Sequence, residues 1–238
     1  VGNQNYGYIG GGFQAVSFVD RIDYSNDTAK ASPKGPLVQV KYSRSGVSNA
    51  NYAWYGGGTP GPISIIDRLD FSNDTATGVA RSQLSVARFY VAGASSPDFG
   101  YFIGGAPGGW GSTQGSTVDR IDYSNDTATT APKGNLSIGH VEYSATSTSS
   151  YGYFCAGEGS PGAIITTVDR IDFSNDTPTA VAKGPLSLAK EKFGSTGNAS
   201  YGYMGGGKNH PNYYSTIDRI DYSSDTSTAL AKGPLSAT

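Results

Sequence analysis

The chain contains one cysteine, one methionine, two histidines and no apolar run near eighteen residues. Each scarcity removes a class of explanation. The single thiol, Cys155, excludes an internal disulfide framework and a cysteine-based zinc cluster. The lack of a long apolar run leaves no candidate for a bilayer-spanning helix, so no membrane insertion is expected. Charged residues make up 15% of the chain, with a net charge of −2 and no basic block. That balance argues against a general nucleic-acid binder. The opening residues VGNQNYGY lack a basic and an apolar region, so no targeting signal is expected there. No stretch carries a helical period.

Glycine, tyrosine and a repeated phrase are what the chain has in abundance. The segment DRIDYSNDT at 119–127 recurs in closely similar wording from Asp20, Asp67, Asp169 and Asp218. The spacings of 47, 52, 50 and 49 residues describe five small units that share one core, hence a single domain over 1–238. Each unit opens with an aromatic, glycine-rich run: YGYIGGG, YAWYGGG, FGYFIGG, YGYFCAG or YGYMGGG. Alternation of large and small residues predicts a strand that ends at the glycines. A loop of changing length follows, then the phrase itself, whose alternation sets Asp20, Ile22 and Tyr24 against Val19, Arg21 and Asp23. The turn S-N-D-T and a segment ending KGPLS complete the unit. Further strands are expected around 40–46, 87–93, 140–146 and 191–197. The unit is therefore a four-stranded antiparallel meander.

Four strands, a period near fifty and an aromatic strand ending in a double glycine resemble the kelch repeat. The resemblance implies an all-β fold, a five-bladed β-propeller with four-stranded antiparallel blades. The wording Y-G-Y-x-G-G-G, D-R-I-D-Y-S-N-D-T and K-G-P-L-S also resembles propeller-type repeats of marine bacteriophage virion and tail proteins, which implies a virion or extracellular setting. Matching Ser236-Ala237-Thr238 to Ser187-Leu188-Ala189, and Val1-Gly2-Asn3 to Thr196-Gly197-Asn198, leaves one blade short of its innermost strand and places the termini together.

A phrase present in every unit serves the contact between units, with Ile22, Tyr24 and their equivalents packed between blades. The arginines Arg21, Arg68, Arg120, Arg170 and Arg219 each precede an aspartate by two residues, Asp23, Asp70, Asp122, Asp172 and Asp221, and these pairs are expected to link strands or blades. The Asn26-Asp27 turn and its equivalents read as Asx-type turns. Fifteen of the nineteen acids lie in the phrases, leaving Asp98, Glu142, Glu158 and Glu191 outside. His140 reads as a satisfied structural histidine and Cys155 as a small buried thiol. No catalytic, cofactor or metal site is expected.

Function is expected where the units differ, in the loops 13–17, 59–64, 106–116, 158–166 and 208–215. In a propeller these emerge on the same face as the connections between blades. Trp110, His210, Tyr213 and Tyr214 supply flat amphipathic surface there. The expected function is non-catalytic recognition of a glycan or protein surface, other virion proteins included. The competing reading is a hydrolase or lyase at the channel mouth.

Overall fold

The computed structural model describes residues 1–12, 16–108 and 112–236. Five antiparallel meander sheets follow one another along the chain. The first has three strands, Tyr6–Gly10, Val19–Asp23 and Ser32–Lys34. The second has Ser45–Ser48, Tyr52–Gly56, Ile63–Asp70 and Val79–Arg88. Equivalent sets start at Ala92, Ser144 and Gly194. One register recurs in all five: Tyr6 faces Asp23, Tyr52 Asp70, Phe99 Asp122, Tyr151 Asp172 and Tyr201 Asp221. The pairing puts each phrase arginine beside the aromatic strand, with its guanidinium 4.1–4.4 Å from the ring centroid. Two one-turn 3₁₀ segments, Phe71–Asn73 and Tyr222–Ser224, are the only helical pieces among the described residues.

The leading strands start later than the sequence suggests. In place of strand at 40–43, the chain makes a turn in which Ser43 takes φ 54°, and Tyr90, Glu142 and Lys192 do the same at 57°, 55° and 56°. A left-handed residue breaks the strand, and pairing resumes at Ser45, Ala92, Ser144 and Gly194. These leading strands lie beside one another in order, so the sheets stand face to face around a common axis. The arrangement is that of a β-propeller.

Apolar layers fill the four spaces between consecutive sheets. Trp54, Ile66 and Leu84 of the second sheet, for example, meet Phe102, Ile121 and Tyr123 of the third. Each fully buried large side chain contributes roughly 1.5–3 kcal/mol. The first unit departs from the expectation for Ile22 and Tyr24: Ile22 is half-buried and Tyr24 exposed, whereas Ile121, Ile171 and Phe173 are buried.

A polar lock accompanies each layer, and it differs from the pairing read from sequence. The arginine does not bond the aspartate two residues on. Arg21, Arg68, Arg120 and Arg170 instead reach the turn aspartate of the following unit, Asp74, Asp126, Asp176 and Asp225, at 2.7–2.9 Å. The same carboxylate accepts from Tyr8, Trp54, Tyr101 or Tyr153. Lys34, Arg81, Lys133 or Lys183 completes the set at 2.8–3.3 Å. Asp23, Asp70, Asp122, Asp172 and Asp221 are occupied locally, each accepting from the backbone N–H and hydroxyl of the serine two residues later. The Asx turn therefore belongs to the last strand residue. The aspartate of S-N-D-T, or of S-S-D-T in the fifth unit, is the inter-unit acceptor in four units, a correction to its reading as a turn residue.

The glycine of KGPLS has its own reason. A Cβ on Gly35 would run into the carbonyl of Ala76 in the next unit, and Gly134 and Gly184 meet Pro178 and Ser227 in the same way.

Between the fifth and first sheets the pattern stops. Among the described residues Arg219, Tyr203 and Lys232 have no counterpart bonds to Asp27, and Asp27 is exposed. A Cβ on Gly233 would meet nothing within 4 Å. On the inner side of the Tyr6–Gly10 strand, Gly2 bridges Gly7 and Tyr8 donates its N–H to the Val1 carbonyl.

Candidate functional site

The loops that vary between units join the inter-unit turns directly. Short bridges pair Tyr42 with Thr59, Phe89 with Ala106 and Glu191 with Lys208, and a two-residue ladder pairs Val141 with Glu158. Loops and turns thus share one face around the axis, the mouth. Successive turns are also tied together, Tyr90 donating its N–H to the Ser43 carbonyl and Lys192 to that of Glu142, both at 2.9 Å.

Equivalent positions on this face carry different residues. Ser43, Tyr90, Glu142 and Lys192 occupy one of them; Thr59, Ala106, Glu158 and Lys208 occupy another. The charge collects on the fourth and fifth units. Carboxylate oxygens of Glu142, Glu158 and Glu191 all lie within 4.8 Å of one another. Lys192 Nζ stands 2.9 Å from Glu142 Oε2, and Lys208 Nζ 3.5 Å from Glu191 Oε1. Gln114 Nε2 donates to Glu158 Oε1 at 2.8 Å. Glu142 Oε1 is buried without a hydrogen-bond partner.

Electrostatics follow from that crowding. Burial, together with the hydrogen bond and charge of Glu142, pushes the Glu191 carboxyl above its ordinary value against the pull of Lys192 and Lys208. Burial opposes the charge on Lys192, but its bonds and attraction to Glu142 and Glu191 outweigh that and raise its pKa. Tyr90 is raised by burial and by the charge of Glu142. The three carboxylates offer oxygen ligands of the kind a hard cation takes, yet two lysines and a glutamine already engage them. The group is suited to holding a polar ligand through several charge-assisted bonds.

The aromatic residues singled out from sequence sit unevenly around this group. Trp110 lies outside the described residues. His210 and Tyr213 are exposed on a hairpin formed by Lys208–Asn209 and Asn212–Tyr213, while Tyr214 is half-buried. Tyr213 pairs directly with Lys208, so the hairpin runs from an exposed ring to the charged group. Tyr90, Gln114, Lys192 and Lys208 were not selected from sequence. Their available signal was divergence at positions that the units otherwise share.

Behind the mouth lie buried ion pairs. Arg88 holds Asp119, and Lys190 holds Asp218, both at 2.9 Å and out of water. His140 occupies the equivalent place in the next unit, with Nδ1 2.8 Å from the Ala156 carbonyl and Nε2 3.8 Å from Asp169. Burial pushes its pKa down, so it is neutral near pH 7; Nε2 has no hydrogen-bond partner. Cys155 is fully buried and burial pushes its thiol up, which makes it unreactive.

No protein-family model and no curated protein matches the chain. Its fold is similar to a solved structure of YjhT, a β-propeller, with a TM-score of 0.79 and 12% identity over 99% of this chain and 82% of that one.

Proposed function

We propose that the five sheets are five kelch-like blades of a recognition module without catalytic activity, which engages a glycan through the mouth face. The observation that carries this reading is the convergence of Glu142, Glu158, Glu191, Lys192 and Lys208 at positions where the other units have unlike residues. Residues common to all units are spent on packing and locks. Those that differ are free to specify a ligand. Exposed Tyr213 beside Lys208 adds a ring for stacking on a sugar face. The repeat wording supports a place in a virion, tail or other extracellular assembly.

A glycan array probed with the parent chain, Lys208→Ala and Tyr213→Ala tests the proposal. Each substitution should weaken binding about tenfold, the loss of one charge-assisted bond or one stacking contact. Unchanged binding by both variants, or binding to a protein surface alone, overturns the glycan assignment.

One observation favours a hydrolase or lyase instead: Glu191 is raised beside Glu142, as a carboxyl acid paired with a carboxylate would be. Mass spectrometry of array-positive glycans after incubation distinguishes the two. Cleavage that is abolished in Glu191→Gln establishes catalysis; intact glycans leave recognition.

A further inference from the structure

Among the described residues, four of the five possible contacts between neighbouring sheets are built alike, and the fifth is absent. At each of the four, an aromatic residue, an arginine and a lysine or arginine of one unit close on the turn aspartate of the next. The fifth sheet presents the first half of such a junction. Tyr203 stands where Tyr8, Trp54, Tyr101 and Tyr153 stand, Arg219 follows the other phrase arginines, and Lys232 the other lysines. Arg219 Nε is buried without a hydrogen-bond partner. The first sheet presents the second half: Asp27 is open to solvent where Asp74, Asp126, Asp176 and Asp225 are buried.

Apolar positions repeat the lesson. The leucine of KGPLS is 2% exposed at Leu37 and 45% at Leu235. The residue that follows the second aromatic is 4% exposed at Tyr55 and 60% at Ile9. Both open faces thus hold residues that elsewhere in this same chain are core. They are also complementary in charge, cationic on the fifth sheet and anionic on the first.

We propose that these two faces receive one further repeat of the same kind, joined to this chain, which completes the ring as a sixth unit. One such unit brings a turn aspartate to Tyr203, Arg219 and Lys232, and its own aromatic, arginine and lysine to Asp27, so both faces are filled at once. A second copy docked head to tail would fill one junction and leave another pair of faces open at its far ends. The size fits as well. The part of the YjhT chain that has no counterpart here is close to one repeat in length.

The test extends the 238-residue chain at its C-terminus with a second copy of residues 190–238. Hydrogen exchange, calorimetry and sedimentation are compared for the parent, the extended chain, and an extended chain carrying Asp225→Ala in the added copy only. The expected result is a monomeric extended chain that melts several degrees higher and exchanges at least tenfold more slowly at residues 230–235 and 19–27, with the gain at 230–235 lost in the alanine variant. The parent chain supplies an independent measurement, because those two segments should exchange faster in it than their equivalents at the other four junctions. Equal protection in a monomeric parent means that five units close by themselves and overturns the proposal. Concentration-dependent assembly of the parent that protects the same segments makes a second copy the occupant and overturns it too. So does an extended chain with no added protection at either face.

Discussion

At the scale of single residues, the turn aspartate bears more of the structure than its place in a polar loop suggests. Burial pushes the carboxyls of Asp74, Asp126 and Asp225 up, but hydrogen bonds and charge from the neighbouring tyrosine or tryptophan, lysine and arginine outweigh it and hold all three below the usual range. Asp126→Ala strands the Trp54 N–H and two guanidinium groups at once. Removing one partner of a buried pair costs about 3–5 kcal/mol, and because Arg68 and Arg81 keep 23% and 31% of their side-chain surface in water, about 2–3 kcal/mol is expected here. Urea unfolding of Asp126→Ala and of Asp27→Ala makes the comparison, the second being near neutral. Acid acts through the same groups. Carboxyls with lowered folded pKa values stabilise the fold above their unfolded value near 4, and that stability is lost as pH falls through the folded values. His140 begins the decline earlier. Its folded pKa is depressed, so the unfolded chain takes up the proton first, and stability should fall by up to about 1.4 kcal/mol per pH unit below about 6.5. His140→Gln should flatten the stability profile between pH 6.5 and 5 while leaving the drop below pH 4.

At the scale of elements, the strands were legible and the connections were not. Tyr6–Gly10 and Val19–Asp23 announce themselves by alternation, and their counterparts by repetition. The partner of Arg21 is not written in its own strand. Its reach to Asp74 depends on how two sheets stack, which no local pattern records, and Asp23 is withdrawn from competition by Ser25. The left-handed turns are hidden for a related reason, since Ser43, Tyr90, Glu142 and Lys192 lack the glycine that would mark them. The mouth group was half visible: three of its acids stood out as unrepeated, but their meeting is tertiary. A left-handed non-glycine residue costs roughly 1–2 kcal/mol relative to glycine. Ser43→Gly should therefore gain about 1 kcal/mol in thermal or urea unfolding, whereas Lys192→Gly should gain less because it gives up the 2.9 Å pair with Glu142.

At the scale of the whole molecule, stability is graded around the ring. The second, third and fourth sheets are covered on both faces, the first and fifth on one. Limited proteolysis of the chain should cut first in units one and five and last in unit three, read by mass spectrometry of the early fragments. The uniformity of the lock has a different consequence. Since an aromatic donor, an arginine and a second cation close on an aspartate at each of the four junctions, with Trp54 and Arg81 in place of tyrosine and lysine at one of them, the lock holds little information about which neighbour is which; order is carried by the peptide chain, and the buried pairs Arg88–Asp119 and Lys190–Asp218 add only a weak address. The units are in this sense interchangeable sectors of a dial. Exchanging the third with the fourth would keep each lock intact while moving the glutamates to a new bearing, so a family of mouth patterns is open to the fold by shuffling alone, without inventing a new contact.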